Sequence, residues 1–155
     1  MTTKIYEGKV LAEWVDYNGH MNDAEYARVF SHSIDQLMIE IGIDDTYQKE
    51  QSYTIYTLEN HLCYLDEARK GDPIHVTLQL LDYSDKLLHV FFTMNNEKGE
   101  KLATSEQMLI GINKNTGRAG SFPSEIDQNI QSLAKEHQDL PKPKEVGRTI
   151  GIKRK

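Results

Sequence analysis

The sequence predicts an α+β fold in which a strongly curved, antiparallel five-stranded sheet wraps around one central helix, with an extra C-terminal helix. Three observations predict it: a short strand-like run precedes a long amphipathic segment, four runs with a two-residue period follow, and a second amphipathic segment comes last. A chain of 155 residues suits one hydrophobic core. We expect a single domain at residues 1–140 and a basic C-terminal tail at 141–155.

The first strand is expected at Val10 to Val15, with Ile5 upstream. A cluster of turn-forming residues, Asp16-Tyr17-Asn18-Gly19, ends this strand. A loop therefore connects the first strand to the central helix.

The central helix is expected to begin near Asp23. Asn22 can cap it through its side chain, and Glu25 three residues later can return the bond as in a capping box. Five apolar residues then recur at spacings that stack them on one helical face, and Gly42 ends the pattern. This stripe, expected to pack on the sheet, consists of Phe30, Ile34, Leu37, Met38 and Ile41.

Four further strands are predicted from alternating apolar residues and from the short turn signals between them, which favour antiparallel neighbours. They are expected at Tyr53 to Leu65, Ile74 to Tyr83, Leu87 to Met94 and Leu102 to Ile112. One helix cannot cover both faces of such a sheet, and its edge strand needs a partner. Self-association into a homodimer or homotetramer is the physical expectation.

The C-terminal helix is predicted from Ile126, Ile130, Leu133 and Ala134, which lie on one face. The Pro141-Lys142-Pro143-Lys144 stretch cannot continue a helix, because proline lacks the amide donor. We therefore expect the basic tail to be loosely ordered.

Composition excludes several classes of function. The net charge of -6 argues against nucleic acid as a partner, and no run of about 18 apolar residues could span a membrane. The N-terminus lacks the pattern of a signal or transit peptide, so a cytoplasmic protein is expected. The single cysteine, Cys63, the scattered histidines and the lack of a phosphate-binding glycine motif predict no disulfide, no metal site and no cofactor.

The densest polar cluster lies at residues 16–22, followed by Tyr26. Its composition suits attack on an ester-like carbonyl. Asp16 supplies a carboxylate, Gly19 lets backbone approach a ligand, and the helix start near Asn22 to Ala24 offers unpaired amides that can polarise a carbonyl oxygen.

This segment resembles the Asp-x-x-Gly-His-x-Asn signature of the 4-hydroxybenzoyl-CoA-type thioesterases, and the element order over roughly residues 5 to 115 is similar to their hot-dog fold. The resemblance implies that Asp16 is catalytic, either as a nucleophile or as a general base. It also implies active sites at dimer interfaces. Coenzyme A would belong to the substrate, an acyl-CoA, and to the product.

Four separated blocks sharpen the resemblance towards the betainyl-CoA thioesterases of carnitine degradation. The blocks are Glu13 to Met21, Tyr56 to Glu59 with His61, Leu65 to Arg69, and Ala103 to Met108. The resemblance implies hydrolysis of betainyl-CoA to glycine betaine and free coenzyme A.

The predicted site residues follow from the loop and from the proposed substrate. A trimethylammonium group donates no hydrogen bonds, so its recognition requires aromatic faces and negative charge. Five aromatic residues lie on the segments expected to line the pocket: Trp14, Tyr17, Tyr53, Tyr56 and Tyr64. Glu59 lies among them, on a strand expected to face the helix. The catalytic candidates are Asp16, His20, Asn22 and Asp23. The substrate-binding candidates are Trp14, Tyr17, Gly19, Tyr26, Tyr53, Tyr56, Glu59 and Arg69, of which Arg69 could meet the phosphates of coenzyme A.

Three alternatives stay open at this point. An aryl- or fatty-acyl-CoA thioesterase of the same fold would use the same Asp16. A hydratase of this fold would need an Asp-x-x-x-x-His spacing, from which the gap between Asp16 and His20 departs. A non-catalytic acyl-CoA-binding module would bind ligand without needing the carboxylate.

Overall fold

The longest helix, α1 (Asp23–Glu40), lies against a curved antiparallel sheet. The computed structural model describes residues 1–154. The strands are β1 (Thr3–Lys9), β2 (Tyr53–Tyr64), β3 (Pro73–Tyr83), β4 (Leu87–Asn96), β5 (Lys101–Asn113) and β6 (Arg118–Ala119). Their order is β1-β3-β4-β5-β2, with the short β6 paired to β5. The predicted curved five-stranded sheet with a central helix is confirmed, and the four predicted strands lie within two residues of β2 to β5.

The core lies between α1 and the face of the sheet turned towards it, here called the inner face. The predicted apolar stripe is confirmed: Phe30, Leu37 and Ile41 are at most 1% exposed. Phe30 meets Phe92 of β4 with ring centroids 6.2 Å apart. Within residues 1–154, no helix is both long enough and apolar enough to span a membrane.

The first strand lies earlier than predicted. The structure has β1 at Thr3–Lys9, while Ala12–Trp14 forms a turn of 3-10 helix and Val15 makes only an isolated bridge with Met21. The prediction of a strand at Val10 to Val15 is wrong. The register explains the error. Strand β1 pairs with Pro73 to Leu78 of β3, and a pairing between segments this distant in the chain cannot be predicted from local alternation.

Strand β2 contains a bulge that reverses the direction of its later side chains. Thr57 pairs with Leu109 of β5. Glu59 pairs with the preceding residue of β5, Met108, so Leu58 is the extra residue. Because successive side chains point to opposite faces, one inserted residue moves every later side chain to the other face. Residues after Leu58 therefore lie on the opposite face of the sheet from the one that an uninterrupted strand would give them.

Two short helices complete the fold. Helix α2 (Asp45–Gln51) was not predicted; its N-cap is Asp44, whose side chain accepts a hydrogen bond from the Tyr47 amide at 2.8 Å. Helix α3 (Ser124–His137) confirms the predicted C-terminal helix and buries Ile126 and Ile130.

The C-terminal tail packs on the outer face of the sheet, opposite α1, so the expectation of a loosely ordered tail is wrong for residues 141–148. Side chains of β3 and β5 hold it at three points, and the Glu145 side chain is only 3% exposed. The contacts join Pro141 O to Gln79 Nε2 (3.3 Å), Glu145 Oε1 to Lys101 Nζ (3.1 Å) and Gly147 N to Glu106 Oε1 (2.8 Å). Lys155, the last residue of the predicted tail, lies outside the described residues.

A buried histidine, His137, joins α3 to both β3 and β1. Its Nδ1 accepts a hydrogen bond from the Leu80 amide at 2.9 Å, and its Nε2 lies 3.0 Å from Thr3 Oγ1. Because the Leu80 amide can only donate, the ring must carry its proton on Nε2 and donate to Thr3. Burial of the ring lowers the pKa of His137.

Stability should fall with acidification through this residue. A lowered folded-state pKa means that the unfolded chain takes up the proton first, so His137 destabilises the fold as pH falls below about 6.5. We expect wild type to lose more free energy of unfolding than His137→Gln between pH 7.5 and pH 5, measured by urea denaturation. A difference between the two proteins that stays constant across this range would contradict the assignment.

Candidate active site

The loop that carries Asp16 is closed by its own backbone. The Asp16 amide donates to His20 O at 2.9 Å, and the Gly19 amide donates to Asp16 O at 2.9 Å, with Gly19 at a φ of +80°. The Val15–Met21 bridge lies directly outside this turn. Glycine at the left-handed position allows the tight reversal, and these bonds give the loop a defined conformation.

The two carboxylate oxygens of Asp16 differ in their surroundings. Oδ1 accepts the amides of Asn18 at 2.8 Å and His20 at 3.1 Å. Oδ2 makes no hydrogen bond within residues 1–154. The side chain is half-buried. The loop thus fixes the carboxylate through one oxygen and leaves the other open to a substrate or a water molecule.

The loop is bound to the segment between β2 and β3. His20 forms an isolated bridge with Arg69, and the Met21 amide donates to Ala68 O at 2.9 Å. The His20 Nδ1 lies 3.4 Å from Glu67 Oε2. These contacts bring His20 and the backbone of Arg69 together with Asp16, while the amide of Arg69 donates to the Asp72 carboxylate at 2.9 Å.

The start of α1 lies next to this loop, because the Asn22 amide donates to Trp14 O at 2.9 Å. Asn22 occupies the N-cap position, but its side chain makes no capping hydrogen bond, so the predicted capping box is not formed. The Asp23 carboxylate instead accepts the Ala24 amide at 2.9 Å, and Glu25 pairs with Arg28 at 2.7 Å.

Only part of the predicted amide cluster is therefore open. The Asn22, Ala24 and Glu25 amides all have acceptors. Within the described part of the chain, the Asp23 amide has none. That N–H lies at the positive end of an 18-residue helix, where the helix terminus favours negative charge.

Two tyrosines cover the side of α1 near its start. The rings of Tyr26 and Tyr64 form an edge-to-face pair with centroids 5.3 Å apart. The Tyr26 hydroxyl accepts the Ala68 amide at 3.0 Å, and the Tyr64 hydroxyl donates to Asp23 O at 3.2 Å. Tyr26 is buried, while Tyr64 remains 48% exposed.

The other predicted residues of this region divide between core and solvent. Trp14 is buried in the core and contributes its carbonyl to the Asn22 amide. Tyr17 at the loop tip is 97% exposed. Among the described residues, neither ring forms an aromatic pair with Tyr64, as Tyr26 does.

Three predicted residues lie elsewhere on β2. The Tyr53 hydroxyl donates to Gly120 O at 2.7 Å, at the opposite end of the strand from Tyr64, and Tyr56 is exposed on the edge. The expectation that Glu59 faces the helix is wrong. The bulge turns it to the outer face, where it lines a groove with His61 and His89.

Sequence reasoning did not assign Glu67 to the site, and it placed Tyr64 on a pocket-lining segment without choosing it as a site residue. The same bulge explains Tyr64, since an uninterrupted β2 would have placed it on the outer face. Glu67 lies in one of the blocks that resemble the family, but no spacing rule links it to His20. Their contact depends on the pairing of two loops, which only the fold shows.

The sequence profile of the thioesterase-like superfamily matches residues 10–130, which span the loop, α1 and the whole of β2 to β5. The chain belongs to this superfamily. Its fold is accordingly the hot-dog fold of acyl-CoA thioesterases, and the Asp16 loop occupies the connection into the central helix.

Two characterised members of the superfamily align along almost the whole chain. A betainyl-CoA thioesterase from Pseudomonas aeruginosa is 41% identical over 148 residues, covering 95% of this chain and 93% of that protein. An L-carnitine dehydrogenase/betainyl-CoA thioesterase from Rhizobium meliloti is 36% identical over 97% of this chain, but this match covers only 30% of that longer protein.

Solved structures show the same architecture. A Staphylococcus aureus protein in complex with CoA superposes with a TM-score of 0.93 at 33% identity, covering 99% of this chain and 98% of that one. A DHNA-CoA thioesterase from the same species superposes with a TM-score of 0.74 at 20% identity, covering 87% and 94% of the two chains. At that identity the second similarity concerns the fold alone.

Proposed function

We propose that this protein hydrolyses betainyl-CoA to glycine betaine and coenzyme A, as a step of carnitine degradation. The observation that carries the proposal is the 41% identity to a betainyl-CoA thioesterase across 95% of this chain and 93% of that one. The aligned part of this chain includes the loop of Asp16 and strands β2 to β5. A member of the superfamily that shares this much sequence along almost the whole chain is best assigned the same class of substrate.

Asp16 is the proposed catalytic carboxylate, acting through Oδ2. As a general base, Oδ2 takes a proton from water while the water oxygen bonds to the thioester carbon. The C–S bond then breaks and coenzyme A leaves as the thiolate. As a nucleophile, Oδ2 bonds to that carbon directly, expels the thiolate and forms a mixed anhydride that water hydrolyses. Both routes use the oxygen that the loop leaves without a hydrogen bond.

The Asp23 amide is the proposed donor to the carbonyl oxygen. Negative charge develops on this oxygen as the tetrahedral intermediate forms, and a fixed N–H at a helix N-terminus stabilises it. The Asp23 carboxylate accepts a hydrogen bond from the Ala24 amide, so that amide is not free to donate to the substrate and the Asp23 amide is. His20 is proposed to position the loop, and Arg69 is proposed to contact the coenzyme A moiety.

A panel of thioesters tests the assignment. Betainyl-CoA should give the highest kcat/KM among betainyl-, benzoyl- and palmitoyl-CoA, followed by release of the free thiol. A preference for benzoyl- or palmitoyl-CoA would support thioester hydrolysis as the activity but reject betainyl-CoA as the substrate. Binding of all three esters without hydrolysis would reject catalysis altogether.

We also propose that the protein is a homo-oligomer that associates through β2, the exposed edge of the sheet. Tyr56 and Leu58 on this edge are more than half exposed, and an unpaired strand edge is a liability in a monomer. Mass measurement in solution should give a dimer or tetramer. Leu58→Lys should shift the protein towards monomer, and a wild-type monomer would reject the proposal.

A further inference from the structure

We propose that Tyr64 is a specificity-determining residue that recognises the positive charge of the acyl group, assisted by the carboxylate of Asp23. The inference rests on the proposed function, because it assigns the trimethylammonium group of that substrate to a particular ring. Tyr64 is the last residue of β2, and its hydroxyl reaches the start of α1 at the carbonyl of Asp23.

The geometry leaves the Tyr64 ring available to a ligand. Its plane is at 89° to that of Tyr26. In an edge-to-face pair, either Tyr64 points its edge at Tyr26 or it receives the edge of Tyr26 on one face. In both cases at least one face of Tyr64 is clear of its partner. The hydrogen bond from its hydroxyl to Asp23 O holds the ring in place.

Over the described range of the chain, several acidic side chains near the start of α1 form no ion pair with lysine or arginine, although the backbone of Arg69 lies at the same loop. Within residues 1–154, Asp16, Asp23 and Asp66 form no ion pair with lysine or arginine, and Glu67 has only His20 as a partner. The hydroxyls respond to this field. Burial and then the charge of Asp23 raise the pKa of Tyr64. The pKa of Tyr26 is raised by burial and by nearby carboxylates that include Glu67 and Asp66.

A negative field at the reacting end needs a physical reason, because coenzyme A carries phosphates and is itself an anion. Carboxylates near the thioester would only weaken the binding of an acyl-CoA whose acyl group is uncharged. They strengthen the binding of an acyl group that carries a permanent positive charge. An aromatic face beside those carboxylates supplies the cation–π contact that such a group favours.

The decisive measurement compares two substrates of the same shape. In 3,3-dimethylbutanoyl-CoA, a carbon atom replaces the quaternary nitrogen of betainyl-CoA, so the two esters differ in charge and hardly in size. The ratio of their kcat/KM values, here called the charge ratio, is an internal measure for each protein. Partial loss of folded protein lowers both rates and leaves the charge ratio unchanged.

We expect Tyr64→Leu to lower the charge ratio by about 3- to 30-fold, the range of a cation–π contact. Tyr64→Phe keeps the aromatic face and should retain most of the wild-type ratio. Tyr83→Leu, which removes a partly exposed tyrosine at the far end of β3, is the matched control and should leave it unchanged. Asp23→Asn, whose side-chain oxygen can still accept the Ala24 amide, should lower the ratio by less than Tyr64→Leu does.

The outcomes separate the two proposals. A wild-type charge ratio near one would reject the cationic substrate, and with it the proposed function. A high wild-type ratio that Tyr64→Leu and Asp23→Asn both leave intact would overturn this inference alone. An equal fall in Tyr83→Leu would also overturn it. If Tyr64→Leu has no measurable activity, the Asp23→Asn ratio decides.

Discussion

Asp16→Asn is expected to hydrolyse betainyl-CoA about 10²- to 10⁴-fold more slowly than wild type, the usual contribution of a positioned acid–base group. The asparagine oxygen can still accept the amides of Asn18 and His20, so the loop should keep its structure. The amide nitrogen that replaces Oδ2 can neither attack a carbonyl nor accept a proton. Release of the coenzyme A thiol, followed spectrophotometrically, measures the loss.

Asp35→Asn is the matched control, since it makes the same chemical change on the exposed side of α1. It should keep wild-type activity. An Asp16→Asn protein that retains a tenth or more of the wild-type rate would move the chemistry to another residue. Single turnovers in ¹⁸O-water distinguish the two routes, because incorporation of the label into Asp16 itself requires the anhydride.

Phe30→Ala is expected to lower the free energy of unfolding by about 3–5 kcal/mol, the usual result of removing a large buried ring. Phe30 is completely buried and meets Phe92 on the sheet, so the substitution opens a cavity where α1 packs. Because typical domains have only about 5–15 kcal/mol of stability, the loss should be evident in urea denaturation.

Ile39→Ala provides the comparison on the same helix. Ile39 is 53% exposed, and its truncation should change the free energy of unfolding by no more than about 0.5 kcal/mol. Both variants need to be unfolded at the same protein concentration, since association stabilises the folded state. A Phe30→Ala protein as stable as Ile39→Ala would contradict the assignment of the core.

The parts of the fold that the sequence predicted are those governed by local periodicity. The stripe from Phe30 to Ile41 on α1 and the alternation in β3 and β4 repeat often enough to fix the type of element. The sequence led us to expect an edge strand in need of a partner but did not say which strand, and the structure has β1 and β2 at the two edges. The Asp16 loop was found because turn formers and polar groups concentrate there.

The parts that escaped prediction depend on distant contacts. Strand β1 is fixed by pairing with β3, and the tail is fixed by Gln79, Lys101 and Glu106 on strands far earlier in the chain. Helix α2 carries no apolar period, although its Asp44 cap is a local signal that could have been used.

The candidate site was predicted in its loop and less well in its lining. The backbone contacts of Asp16 and His20 follow from turn chemistry, which is local. The bulge in β2 decides on which face of the sheet Glu59 and Tyr64 lie. Counting alternate residues through Leu58 assigns both side chains to the wrong face.

The extra residue in β2 decides which later side chains the strand presents to α1. Deleting Leu58 should leave these faces unchanged, because Glu59 already pairs with Met108 and would then directly follow the pair of Thr57 with Leu109. Straightening the strand with Leu58 still present would instead pair Leu58 with Met108, turn Glu59 towards α1 and send Tyr64 outward. The position of the Tyr64 ring therefore depends on a backbone conformation six residues away, so a substitution that favours regular pairing at Leu58 would displace the ring without contacting it.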